Sequence, residues 1–521
     1  MRGTSRLIPA LVAVVVLAGV YGLAMGHPVA LSAGQSTQPK SAAVTAVERA
    51  CPMLGQVTSG GAGLAMIAAP AGTGPGRAEL TRLTPGTGGP LKSATQTGQL
   101  TGTTVRIAPP LPAAPHTPQP GTGGQQGSGG TQQGGSGQQA GTSSPPVPTS
   151  RVRGGAIVQA SGSMARGLAA EQTFAGRIPA APCESPGTDF WFTGPGVRAA
   201  SRIQLFLANP ADQAADANVE IATDAGPLQG RSDTGITVPP HGMVVQSLAG
   251  VIPGSRVVAL HVRTSVGQVA AAVQEIKGAG GGSWLPAAQM PARRVLVPGL
   301  PATSGSRQLF LAVPGERDAH VTISAVTSRG TYQPTGGGGI DVPAGSAIEV
   351  TLPSLGGIPA AIKLASNVPL TASAMITGGS ASAPGLFTAA SPAIEEQGVV
   401  AANMSGAGES SQLILTAPGG PVAVRITEFA AGSHSASPAS KVVKVKAHKS
   451  RVVPLPHVKG TQAGSSFSVA IAPLPGSGPL YAGRLVMDSQ TATAQALQPV
   501  ESALTSVPLP PVSNGLPGNG R

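Results

Sequence analysis

Side chains able to do chemistry are few and scattered in this chain of 521 residues. The eight histidines stand at 27, 116, 241, 261, 320, 434, 448 and 457. No two have the i, i+2 or i, i+4 spacing that lets neighbouring imidazoles share a metal, and neither cysteine lies near one. There is no Gly-x-Ser-x-Gly element to expose a serine nucleophile and no Gly-Lys dipeptide for a phosphate-binding loop. Gly135-Ser136-Gly137-Gln138-Gln139-Ala140 spells the dinucleotide fingerprint, but in a Gly/Gln tract with no strand ahead of it. Glu395-Glu396, the only adjacent acidic pair, follows Pro392 as linker residues would. With 21 acidic residues in the whole chain, partners for acid and base roles are scarce. The expectation is a non-catalytic protein with no metal and no cofactor.

Two features could bind something. In KVVKVKAHKSRVV, Lys441, Lys444, Lys446, Lys449 and Arg451 form a basic run. Lys444 and Lys446 alternate with Val443 and Val445, so a strand here puts both ammonium groups on one face. Such a stripe would meet anionic envelope polymers or lipid head groups. The competing reading is an edge strand guarded by lysine against aggregation. Nucleic acid is not an expected partner, because no aromatics interleave with the charges. The second feature is Phe190-Trp191-Phe192 together with Trp284, which holds both tryptophans. Trp191 and Trp284 could stack on a sugar if exposed, or pack between neighbouring domains and set their angle.

The N-terminus locates these features. Leu7–Met25 is an uncharged run of 19 residues behind Arg2 and Arg6, with no further Lys or Arg until Lys40. Positive charge stays cytoplasmic, so everything beyond residue 26 is expected outside. The run suits a retained transmembrane helix or a cleaved signal peptide. In an oxidising compartment Cys51 and Cys183 can pair, the alternative being two free buried thiols.

The elements around these residues repeat. Leu205-Phe206-Leu207-Ala208-Asn209-Pro210, Leu309-Phe310-Leu311-Ala312-Val313-Pro314 and Leu413-Ile414-Leu415-Thr416-Ala417-Pro418 stand 104 residues apart, as do Gly235–Pro239 and Gly339–Pro343. Ala65-Met66-Ile67-Ala68-Ala69-Pro70 resembles the same element 140 residues before Pro210. The excess is accounted for by residues 119–146, which hold ten Gly, seven Gln and no large apolar side chain. Such a segment cannot offset its own ordering entropy. Within each copy apolar and polar residues alternate, as in Val219-Glu220-Ile221, and Val257–Val262 followed by Gly267–Val273 reads as a closing hairpin. With 74 Gly, 51 Pro and only 10% charged residues against 41% hydrophobic, a helical or wholly disordered chain is excluded. Roughly seven short strands per copy give the spacing of an Ig-like sandwich, with a small barrel as the alternative.

Thr188–Gly196 (TDFWFTGPG), Leu207-Ala208-Asn209-Pro210, Ile236–Pro240, Ser283-Trp284-Leu285-Pro286 and Val297–Pro301 carry a resemblance to an actinobacterial family of exported, membrane-anchored proteins of unknown function. It covers about residues 45–500. It implies an export segment, tandem β-sandwich-like domains, a cysteine opening the first domain and another before the Trp-Phe motif, and no activity. The Gly/Gln insertion and the weak first copy depart from that pattern.

The expected chain is all-β: an N-terminal transmembrane or signal helix (7–26, after a cytoplasmic 1–6), a linker (27–48), then four tandem Ig-like β-sandwich domains. These are 49–183 with a disordered insertion at 112–150, 184–290, 291–395 and 396–500, strung as separate beads, with a disordered tail at 501–521. The function expected is an extracytoplasmic, membrane-anchored scaffold or binding protein of the cell envelope. The alternative is an accessory protein that binds anionic cell-wall or membrane glycan in support of a glycan-handling enzyme. Expected partners are the membrane, through the helix, and a wall polymer or envelope protein.

Overall fold

The computed structural model describes residues 41–508 apart from 53–63, 69–75, 86–92, 98–103, 108–154, 175–177, 198–200, 229–234, 249, 253, 278–280, 303–304, 354, 378–384, 407, 431–437, 457–465, 489–492 and 504. The helix expected at 7–26 and the insertion expected at 112–150 lie outside these residues. Among the described residues no helix is long and apolar enough to cross a membrane. The described chain is all-β, interrupted by one 3-10 turn at Leu355–Gly357. In a small unit built from the flanking segments, Ser41–Ala43 pairs antiparallel with Ser506–Pro508, which falls in the stretch expected to be a disordered tail. The large unit runs from Val44 to Thr505.

Four pairs of sheets with one strand order make up the large unit. In the first pair, Ala46–Cys51, Ala156–Gly162, Gly76–Arg82 and Ser93–Thr97 lie side by side in one sheet. Ile178–Pro182, Ala169–Phe174, Leu64–Ala68 and Thr104–Ile107 make the other. Counted along the chain, the first sheet has order 1-6-3-4 and the second 8-7-2-5. The fourth pair repeats this with Gly398–Asn403, Phe467–Pro473, Val422–Ala430 and Ala439–Val445 over Thr493–Pro499, Tyr481–Asp488, Glu409–Ala417 and Lys449–Leu455. In the second pair the two sheets are centred on Val257–Val266 with Ala215–Thr223, and on Ala270–Lys277 with Ser201–Asn209. In the third, strands six and seven are one strand of 17 residues, Ala360–Ile376, which runs from one sheet into the other. Pro369, with no N–H to donate, sits near that crossing.

The hairpin expected from Val257 to Val273 is therefore overturned. Val257–Val266 and Ala270–Lys277 belong to different sheets. Gly267, at φ 69°, turns a corner between sheets where a hairpin would reverse the chain.

Why the Leu-Phe-Leu motif repeats is now physical. Leu205 and Leu207 fill the core of their own pair, while Phe206, pointing the other way, enters a cluster with Leu83 and Ile157 of the first pair. Leu309 and Leu311 fill the third core, while Phe310 joins the core of the second pair. Leu413 and Leu415 fill the fourth, and the intervening Ile414 is fully buried beside Gly483. Alternation on one strand thus packs a domain on one face and its predecessor on the other.

Every 8-7-2-5 sheet packs on the 1-6-3-4 sheet of the preceding pair. Between second and third, Thr193 Oγ1 donates to Ser373 Oγ (2.8 Å), which donates to Thr193 O (2.6 Å). Third and fourth meet backbone to backbone: a Cβ on Gly483 would stand 2.4 Å from Gly299 Cα, and Gly299 has φ 86°. First and fourth meet in the same sense, with Ala169 packed against Val399, Ala401, Phe429 and Ala470. The contacts therefore close a ring, as a head-to-tail interface does when its rotation closes. This corrects the expected string of separate beads. Chain entry and exit also coincide, because Val44 N–H donates to Thr505 O (3.1 Å).

Candidate functional site

Charge gathers in two places, the seam that closes the ring and the outer edge of the fourth pair. At the seam, Glu171 points out of strand Ala169–Phe174 of the first pair and meets Arg484 of the fourth, the two residues being 2% and 0% exposed. The Arg484 guanidinium also donates to Ala402 O, and Ala402 N–H donates to Glu171 Oε2 (3.2 Å). Burial pushes the Glu171 carboxyl up, opposed by the guanidinium, the Ala402 N–H and Gln498. A buried charge of this kind persists because it is paired and hydrogen-bonded.

Beside it, Cys51 and Cys183 form a disulfide that ties the first strand of the first pair to the end of its last, across 132 residues. Arg49, two residues earlier, donates through Nη2 to Leu168 O (3.3 Å) and through Nη1 to Ser185 Oγ. Glu184 and Glu501 flank that guanidinium. Burial is the main cause that raises the Glu184 carboxyl to about 8, the Glu501 charge adding to it and Arg49 opposing. Burial also raises the Glu501 carboxyl, with Arg49 opposing. A cavity of about 60 Å³ opens between Arg49, Glu171, Cys183, Gln498 and Glu501. That is room for a few waters and far below the several hundred Å³ of a pocket for an organic ligand. The seam is thus built to hold the ring closed.

The basic run lies on Ala439–Val445 and Lys449–Leu455, edge strands of the two different sheets of the fourth pair, and on the corner between them. Val443 and Val445 are buried, while Val442, Lys444 and Lys446 are exposed. Arg425 is exposed on the adjacent strand, in register with Val442. Lys441 has the opposite parity and turns inward, where Nζ meets Glu428 Oε1 (3.1 Å) and Pro454 O (3.4 Å). Arg451 reaches across the sandwich edge to donate to Lys444 O (2.8 Å), and Lys449 is half-buried. Of the five basic residues, Lys444 and Lys446 form the open face, and Lys441 and Arg451 brace the edge.

Trp191 is 8% exposed and stacks on His261, the ring centroids 3.9 Å apart and 14° from parallel. His261 contacts Asp189 through Nε2 and Glu220 through Nδ1, both at 3.0 Å. Trp284 is half-buried, tilted against Phe206 in the cluster that joins the first and second pairs. Among the described residues an aromatic not singled out in the sequence is open, Tyr332, 41% exposed near the tip of a hairpin in the third pair. Among the described residues no group of three or more His, Cys, Asp or Glu could hold a metal.

A family model described as a family of unknown function (DUF5719) matches residues 137–456, more than half of the chain. Neither the curated proteins nor the solved structures gave a match.

Proposed function

The chain belongs to the family of unknown function DUF5719, and on that footing we propose that it is a non-catalytic, extracytoplasmic scaffold or binding protein of the cell envelope, anchored by its N-terminal helix and built of four Ig-like domains. The domains would be 49–183, 184–290, 291–395 and 396–500. The observation that carries this reading is the closed ring: interfaces between successive pairs are buried and hydrogen-bonded, and the chain enters and leaves at Val44 and Thr505. A body of this kind, held at one point, presents its surfaces in fixed relation to one another. The Cys51–Cys183 disulfide supports an oxidising location. Crosslinking in intact membranes tests the reading, with an envelope protein or wall polymer as the expected partner. Recovery of the chain from the cytosol with both cysteines as free thiols would refute it.

A further inference from the structure

Among the described residues, charge is concentrated at one of the contacts that close the ring. The second and third pairs meet through the hydroxyls of Thr193 and Ser373, and the third and fourth through the backbones of Gly299 and Gly483. The first and second share the apolar cluster of Leu83, Ile157, Phe206 and Met243. At the seam between the first and fourth pairs, two guanidinium groups, Arg49 and Arg484, stand among three carboxyls, Glu171, Glu184 and Glu501. Arg484 is committed to Glu171 and to Ala402 O. Arg49 alone is left for Glu184 and Glu501, while it also donates to Ser185 Oγ and Leu168 O. One cation does not neutralise two crowded carboxylates, and a proton completes the set.

The two carboxyls reach Arg49 from opposite sides of the seam. Glu184 is tied to the first pair, because its N–H donates to Ala50 O (2.9 Å) and its carbonyl accepts from Ala50 N–H (2.8 Å). Glu501 follows the last strand of the fourth pair, where Ala503 N–H donates to Gln397 O (2.8 Å). Repulsion between their charged forms therefore pushes the first pair away from the fourth. The other ionisable groups nearby have their own partners: Glu48 accepts from Gln159 Nε2 (2.8 Å), Glu396 from Thr505 Oγ1, and Asp189 is bound to His261. Glu395 is exposed. The cavity lined by Arg49 and Glu501 has room for water, which gives the proton a way out without unfolding.

We propose that the seam between the first and fourth pairs is a proton-held latch: a proton kept by the Glu184 and Glu501 carboxyls holds the two pairs together, and its loss to water or hydroxide at rising pH opens the ring there while the other three contacts stay shut. Burial and the Glu501 charge raise Glu184 from 4.5 to about 8, which sets the sign. The closed seam keeps a proton that an opened, hydrated Glu184 gives up earlier, so closure is strongest below pH 4.5 and weakens as pH rises through about 8. The test is hydrogen exchange of the full chain in mild detergent at about pH 6 and about pH 9, each rate divided by its intrinsic base-catalysed value. Strand Gly398–Asn403 reads the seam, and strand Ala292–Leu300 reads the contact between the third and fourth pairs. From the lower to the higher pH, corrected exchange rises at least about tenfold at Gly398–Asn403 and less than about twofold at Ala292–Leu300. Glu184→Gln puts a neutral amide where the protonated carboxyl stands, and Glu501→Gln removes the opposing charge. Each cuts the rise at Gly398–Asn403 to below about threefold. The latch is overturned if exchange at Gly398–Asn403 does not respond to pH, if Ala292–Leu300 rises equally, or if either glutamine variant retains the rise in full.

Discussion

Breaking the ring at its closing seam should be felt on its far side. Arg484→Met leaves Glu171 as a buried carboxyl without its cation. With the two residues 0% and 2% exposed and the guanidinium also bonded to Ala402 O, the pair belongs to the buried class. Removing one partner of such a pair costs about 3–5 kcal/mol, against about 0–1 kcal/mol for an exposed pair. Glu171→Leu/Arg484→Met removes both charges, and its cost should fall to near neutral or about 1 kcal/mol. Both tryptophans, Trp191 and Trp284, lie in the second pair, which does not contain the altered residues. Urea unfolding followed by tryptophan fluorescence thus reports whether the second pair senses a loss made between the first and fourth. A closed ring predicts that the fluorescence transition moves with the far-ultraviolet dichroism. The reasoning fails if the tryptophan transition stays in place, or if the double variant costs as much as Arg484→Met alone.

Three further outcomes follow from the same contacts. Cys51→Ser/Cys183→Ser releases a loop of 132 residues and should cost about 4–5 kcal/mol, measured by denaturation under non-reducing conditions. Gly483→Ala forces a Cβ to 2.4 Å from Gly299 Cα, and a loss of about 1–3 kcal/mol is expected from thermal unfolding. Glu184 is raised from 4.5 to about 8, so the folded state holds a proton that the unfolded state gives up earlier. Its contribution is whole below pH 4.5 and is lost as pH rises through about 8; Glu184→Gln should flatten that fall in a series of melts from pH 4 to 9.

Repetition was the most legible property of the sequence, because Leu-Phe-Leu, in the last copy Leu-Ile-Leu, returns with its proline every 104 residues and each copy forms the same strand. The double duty of that strand was not, since alternation shows two apolar faces without saying which neighbour covers the second. Gly267 reads equally as hairpin turn or corner, and only the pairing of both flanking strands with other partners decides. At the basic edge, parity alone put Lys444 and Lys446 on one face. The pairing of Lys441 with Glu428 was not legible, because Glu428 stands on the neighbouring strand. Tyr332 carries no local signature, being one of three tyrosines in an ordinary turn. The Glu171–Arg484 pair spans 313 residues, a separation at which no motif could announce it.

Hydrogen exchange at strand Gly398–Asn403 tests the closed ring most directly, because the Ala402 N–H of the fourth pair is held by the Glu171 carboxylate of the first. Glu171→Leu removes that acceptor and should speed exchange across that strand by at least about tenfold, the loss of a bond worth about 1.5–3 kcal/mol. Exchange there that is unchanged by the substitution would mean that the first and fourth pairs do not touch, and the ring would be open.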